Sequence, residues 1–124
     1  MSFVCIVDDD ASVRNGVGDL LNAVGYTTVA FSSGEEFLAS SAVDEALCVL
    51  LDLKMQGMQG LDVQRQLNAE HRSIPIVLMS AHGDEDTVRW GIQHGAVAFL
   101  RKPFAEDVLL DSIVLAIGRK GGAN

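Results

Sequence analysis

The feature that most restricts the fold is a set of short apolar runs that do not alternate with polar residues. Phe3-Val4-Cys5-Ile6-Val7, Leu47-Cys48-Val49-Leu50-Leu51 and Pro75-Ile76-Val77-Leu78-Met79 are apolar throughout. A strand with one wet face alternates, so runs like these must be covered on both faces. Tyr26 to Phe31 and Val97 to Leu100 read as two further strands. Amphipathic stretches lie between them. Val13, Val17, Leu20, Leu21 and Val24 recur at helical spacing until Gly25. Ser33 to Ser40 reads as a short helix, and Leu61, Val63 and Leu67 mark another. A fourth runs from Asp84 to Gly95, with Val88, Ile92 and Gly95 expected on its inner face, and a fifth covers Phe104 to Ile117. Strand-helix order repeated five times predicts an α/β fold, a doubly wound (βα)5 three-layer sandwich with a five-stranded parallel sheet and right-handed crossovers.

In folds of this kind the ligand site lies beyond the carboxyl ends of the strands. What ends each strand is therefore informative: Asp8-Asp9-Asp10, Asp52, Ser80 and Lys102. Four of five strands deliver an ionisable or hydroxyl group to one edge. The chain's 124 residues fit one domain. Seventeen acidic residues against nine basic ones give a net charge of −8, a surface that repels phosphate backbones and disfavours direct nucleic-acid binding. No apolar run reaches the ~20 residues of a membrane span, and Met1-Ser2-Phe3 lacks the charged start of a signal peptide. Cys5 and Cys48 sit in apolar runs without metal-ligand spacing, which fits reduced core thiols and a cytoplasmic location.

Asp8, Asp9 and Asp52 converge if the first and third strands are neighbours. Like charges about 4 Å apart repel by about 1 kcal/mol in water and about 4 kcal/mol at an effective dielectric of about 20. Such a cluster either raises its own pKa values or holds a cation. Oxygen ligands without Cys or His favour a hard ion, Mg²⁺ first and Mn²⁺ as an alternative. Asp10 reads as a helix N-cap. Lys102 sets a fixed positive charge opposite the carboxylates, and Ser80 adds a neutral donor. A carboxylate so surrounded is equipped to receive a phosphoryl group by in-line attack.

These residues together resemble the receiver domains of two-component response regulators. The match runs from Val4 to about Ala116 and includes Ile6-Val7-Asp8-Asp9-Asp10, Asp52-Leu53-Lys54-Met55 with Gly57 and Gly60, Ser80-Ala81-His82-Gly83-Asp84, Gly95-Ala96 and Lys102-Pro103-Phe104. Asp52 follows Asp8 by 44 residues and Lys102 follows Asp52 by 50, both in the family's usual range. The Ala81-His82-Gly83-Asp84 stretch and the Lys102-Pro103-Phe104 ending are most similar to FixJ-like members. The resemblance implies a flavodoxin-like strand order 2-1-3-4-5 and a receiver unit over residues 1–118, with 119–124 a polar tail or the start of a linker. It implies that Asp52 accepts a phosphoryl group from a histidine kinase. Asp8, Asp9, Asp52 and the Lys54 backbone carbonyl would hold Mg²⁺, while Ser80 and Lys102 would contact phosphoryl oxygens. Phe99 stands at the position of an aromatic rotamer switch paired with Ser80, and the Lys102–Pro103 bond would be cis. Gln56 replaces a common proline, which predicts a less stiff loop. Lys54 and His82 border the acceptor and are candidates for tuning hydrolysis of the acyl phosphate.

The readout is expected on the helix from Asp84, the fifth strand and the last helix. Trp90 is expected to project outward as an interface anchor. On the last helix Val108, Leu109, Ser112, Ile113 and Ala116 form the inner face, while Leu110, Val114 and Ile117 widen the apolar arc. This face is the expected surface of a phosphorylation-favoured homodimer. The reading is of a switch controlling an output such as transcription, not an enzyme beyond self-phosphorylation from phosphohistidine or small phosphodonors and slow self-dephosphorylation. Any DNA contact would belong to an output domain. Two alternatives exist. Asp8-x-Asp10 resembles the nucleophile motif of haloacid-dehalogenase-like phosphatases, although the best-placed acceptor ends the third strand. A phosphorylation-independent interaction module is the other, against which the complete set Asp8, Asp9, Asp52, Ser80 and Lys102 argues.

Overall fold

The computed structural model of the chain describes residues 3–81 and 85–121. Five strands, β1 (Phe3–Val7), β2 (Thr28–Phe31), β3 (Ala46–Asp52), β4 (Ile76–Ser80) and β5 (Ala98–Arg101), form one parallel sheet in the order β2-β1-β3-β4-β5. The helices are α1 (Ala11–Ala23), α2 (Gly34–Ala39), α3 (Ala42–Glu45), α4 (Gly60–Ala69), α5 (Glu85–Gln93) and α6 (Glu106–Gly121). The doubly wound sandwich and its strand order are those anticipated from the sequence.

Successive residues of each strand feed opposite layers. Cys5, Val7, Val49, Leu51 and Leu78 join Phe37 of α2 and Val63 and Leu67 of α4 in one cluster. Val4, Ile6, Cys48, Leu50, Val77 and Met79 join Val17 and Leu21 of α1 with Leu109, Ile113 and Ala116 of α6 in the other. This is why the runs are apolar at every position, and each fully buried aliphatic side chain contributes about 1.5–3 kcal/mol. Cys5 and Cys48 are buried in separate layers and are not joined by a disulfide.

Several boundaries differ from expectation for local reasons. β2 begins at Thr28 because Gly25, at φ +102°, closes α1 and Tyr26 N–H is still bonded to the Leu21 carbonyl at 2.9 Å. Pro75 has no N–H to give the sheet, so β4 starts at Ile76, although the Pro75 carbonyl accepts Val49 N–H at 2.9 Å. The short α3 is an addition. Ser40 Oγ accepts Ala42 N–H at 3.0 Å, and Ala42 and Val43 are buried against the core. α6 continues to Gly121, into the segment read as a tail.

The inner face of α5 is rotated from that expected, whereas that of α6 departs at Val108 alone. On α5 the residue turned inward is Gly91, whereas Ile92 is 43% exposed; Val88 packs half-buried, and Gly95 is exposed at the helix end. A Cβ at Gly91 would lie 2.4 Å from Leu78 Cδ1, so glycine lets α5 lie flat on the sheet there. Gln64, fully buried on α4, fixes this approach by donating Nε2–H to the Gly91 carbonyl at 2.8 Å and the His94 carbonyl at 3.2 Å. On α6, Leu109, Ser112, Ile113 and Ala116 are buried as expected, but Val108 is 48% exposed. Leu110 and Ile117 pack partly against the core, and Val114 remains 62% exposed. Trp90 does not project outward. Its half-buried ring stacks on His94 at 3.8 Å, with the Arg65 guanidinium 4.7 Å above the indole.

Candidate functional site

The chemistry is concentrated where β1, β3 and β4 end. Asp8 leaves β1 fully buried, and both of its carboxylate oxygens are engaged. Oδ1 accepts Asp10 N–H at 2.9 Å, and Oδ2 accepts the Lys102 ammonium at 2.6 Å. Arg14 Nη1 donates to the Asp8 carbonyl at 2.7 Å, which fixes the turn into α1. Asp10 caps that helix, as expected. Its Oδ1 accepts Ser12 N–H at 2.9 Å and Ser12 Oγ–H at 2.7 Å, and these bonds hold its carboxyl below the usual range.

Asp9 is exposed, and its Oδ2 accepts Gln56 N–H at 3.1 Å. Asp52, only 4% exposed, closes β3. Its Oδ1 accepts Lys54 N–H at 3.3 Å and lies 3.5 Å from Lys102 Nζ. Burial, reinforced by the Asp8 charge, pushes the Asp52 carboxyl up to about 6 against the opposing pull of Lys102. Burial of the ammonium alone would lower the Lys102 pKa. The hydrogen bond to Asp8 and the charges of Asp52 and Asp8 outweigh it, so the net shift is upward.

Asp8, Asp9 and Asp52 each present an oxygen within 4.8 Å of the others. Three carboxylates from two adjacent loops, without nitrogen or sulfur donors in the group, suit a small hard divalent cation. The residues fit such an ion. Lys102, 18% exposed, sits beside the cluster and neutralises part of it. Lys102 N–H also donates to the Ser80 carbonyl at 3.0 Å, which brings the ends of β4 and β5 together, and the Lys102–Pro103 bond is cis as anticipated. Ser80 is fully buried at the end of β4. Phe99 is half-buried against the layer that holds α2 and α4. The Lys54 side chain is exposed, whereas His82 lies outside the described residues.

The loop after Asp52 carries more cross-links than its sequence suggested. Met55 N–H donates to Gln59 Oε1 at 3.2 Å, and Gln59 Nε2–H returns a bond to the Met55 carbonyl at 2.8 Å. Gly60 N–H reaches the Leu53 carbonyl at 3.2 Å, and a Cβ on Gly60 would lie 2.4 Å from the Asp52 carbonyl oxygen. These bonds brace the loop around Gln56. Sequence reading also missed Arg14 and the bond from Gln56 to Asp9. The first carried a weak signal, a cation in the first turn after an acidic run; the second is a main-chain contact with no side-chain signature.

A parallel α/β sheet with three carboxylates, a lysine and a buried hydroxyl at one edge defines the receiver class, and the chain belongs to the response regulator receiver domain family, which it matches over residues 4–114. It is a receiver domain of two-component systems, and its relatives include transcriptional regulators. Nodulation protein W of Bradyrhizobium diazoefficiens is 39% identical over 118 residues, 95% of this chain and 52% of that protein. The response regulator protein TodT of Pseudomonas putida is 40% identical over 116 residues, 94% of this chain and 51% of that one. The transcriptional regulatory protein FixJ of B. diazoefficiens is 32% identical, across 92% of this chain and 56% of that one. Among solved structures, the response regulator StyR superposes with a TM-score of 0.91 at 37% identity, covering 98% of this chain and 62% of that one. The FixJ-N structure gives 0.85 at 31%, covering 94% of each. The chain spans about half the length of the curated relatives it matches. Among the described residues no helix is long and apolar enough to cross a membrane.

Proposed function

We propose that this chain is a phosphoryl-accepting switch, charged at Asp52 by the phosphohistidine of a partner kinase with the help of Mg²⁺. The observation that carries the reading is the Asp52 carboxylate itself. It is nearly buried and lies 3.5 Å from a lysine ammonium, beside two further carboxylates able to share a cation. With its pKa at about 6, Asp52 is ionised at pH 7.5 and ready as a nucleophile. An Asp52 carboxylate oxygen attacks phosphorus, the P–N bond to the histidine ring breaks, and its electron pair returns to the ring nitrogen, which takes a proton from water. Asp8, Asp9, Asp52 and the Lys54 carbonyl would hold Mg²⁺, which when bound would supply positive charge to the phosphoryl oxygens. Lys102 holds Asp8 and lies beside Asp52, and its ammonium meets a further phosphoryl oxygen. Ser80 donates its hydroxyl to another.

Asp8 is the weaker nucleophile candidate, since both oxygens are already hydrogen-bonded and Asp10 is occupied in capping α1. This favours a stoichiometric acceptor over a phosphatase with multiple turnovers. The residues through 118 act as the receiver unit, and a separate output domain carries any contact with DNA. Ile92 and Val114 expose apolar surface on α5 and α6, and this face pairs two phosphorylated chains. Phosphorylated protein that sediments as a monomer at tens of micromolar removes the pairing. The central test is intact-mass measurement after treatment with acetyl phosphate and Mg²⁺. Wild type gains one phosphoryl group and Asp52→Asn gains none; an equal gain in both, or steady hydrolysis lost only in Asp8→Asn, overturns the reading.

A further inference from the structure

Arg14 sits in the first turn of α1, the end of a helix at which the backbone dipole disfavours a cation. Arg65, Arg72, Arg89 and Lys102 pair with carboxylates, whereas the half-buried Arg14 sends Nη1–H to a main-chain oxygen, the Asp8 carbonyl, at 2.7 Å. That oxygen belongs to the peptide unit joining Asp8 to Asp9. A peptide unit is planar, so holding its oxygen restrains ψ of Asp8 and φ of Asp9 together. The following peptide unit is held as well, because Asp10 N–H donates to Asp8 Oδ1 at 2.9 Å. The exposed Asp9 thus stands between two restrained planes, while Asp8 N–H is tied to the Phe31 carbonyl at 3.1 Å. Arg14 is anchored in turn. Its own N–H donates to the Asp10 carbonyl at 3.1 Å, and Asp10 caps the helix.

We propose that Arg14 is a positioning residue: its guanidinium locks the peptide unit between Asp8 and Asp9 in the orientation that brings both carboxylates to the cation site, and this raises the affinity for a divalent ion. The inference rests on the cation-assisted reading above. The charge and the hydrogen bond of Arg14 act on that affinity with opposite sign. A positive charge near the site repels a divalent ion, so by charge alone its removal tightens binding. A supporting hydrogen bond orients the ligands, so by geometry its removal weakens binding, commonly by about 10- to 100-fold. Geometry is the larger effect here. Asp8 and Asp9 supply two of the three carboxylates, and water at the half-exposed edge screens the guanidinium.

The test is a titration of Mg²⁺ alone into wild type, Arg14→Met and Arg14→Gln, followed by amide NMR shifts, with hydrogen exchange at the Asp10 and Leu50 amides in the metal-free proteins. Neither substitute carries charge, methionine has no donor, and the amide of glutamine falls short of the carbonyl. Both variants should bind Mg²⁺ about tenfold more weakly than wild type. In both, the Asp10 amide should exchange about tenfold faster, while Leu50, fully buried in β3, keeps its rate. Affinity equal to or above that of wild type overturns the proposal, as do unchanged exchange at Asp10 and an acceleration that Leu50 shares. Should one variant not fold, the other decides by the same criteria. Wild type that binds no Mg²⁺ overturns the reading of the site as well, whereas wild-type binding left undiminished in the variants overturns this inference alone.

Discussion

Leu51 and Asp52 are neighbours on β3, and both are shielded from water, at 0% and 4% exposure. Burial acts on them with opposite sign. Removing Leu51 from water is favourable, whereas removing a carboxylate is unfavourable unless a counter-charge stands close by. One residue along the strand thus separates the part of the sheet that holds the fold together from the part that works against it. The edge is tolerated because Lys102 reaches Asp8 at 2.6 Å and Asp52 at 3.5 Å, and because two apolar layers support the strands beneath. The acid cluster gives up stability in exchange for a reactive carboxylate.

The contrast can be sharpened by substitutions on either side of it. Leu50→Ala, in the fully buried middle of β3, should cost about 2–5 kcal/mol in urea unfolding while the folded fraction still takes up phosphoryl groups. Lys102→Met keeps the aliphatic stem and removes the charge. It should destabilise the metal-free protein by about 1–3 kcal/mol and move the Asp52 titration above its present value, as carboxyl NMR would report.

Asp52→Asn should do the reverse and stabilise the metal-free protein at pH 7.5 by about 1–3 kcal/mol. The pH dependence follows from the raised carboxyl, near 6 in the folded chain against 3.8 when free. Below the free value both states are protonated and the two proteins should unfold alike apart from the substitution itself. As pH rises through about 4 to 6 the wild type loses stability, so the advantage of asparagine grows and then levels off above the folded pKa. Melting curves across that range would break the contrast if asparagine were as harmful as alanine in the core. Arg89→Ala, which removes a pair with Asp86 at 61% and 87% side-chain exposure, should change stability by no more than about 0.5 kcal/mol and serves as the baseline.

Which parts of this molecule could be read from its sequence follows the same divide. A run such as Leu47 to Leu51 is legible because burial on both faces leaves no polar position, and Asp52 is legible because it interrupts that run. The phase of a helix against its neighbour is harder. Helical spacing on α5 pointed to Ile92, yet Gly91 makes the contact because Leu78 leaves no room for a Cβ. Gln64 is polar yet fully buried, because the carbonyls ending α5 give its amide partners. The Gln56 bond to Asp9 belongs to the backbone, so no choice of side chain announces it.

The stacking of Trp90 on His94, with Arg65 above the ring, has a practical consequence. Trp90 is the chain's sole tryptophan, and it bridges α4 to α5. The Arg65 guanidinium reaches the indole from the neighbouring helix, so sliding of α4 past α5 will change the ring's surroundings and with them the emission of the intact protein. The molecule therefore carries its own optical gauge of movement on that side of the sheet, with no dye to attach.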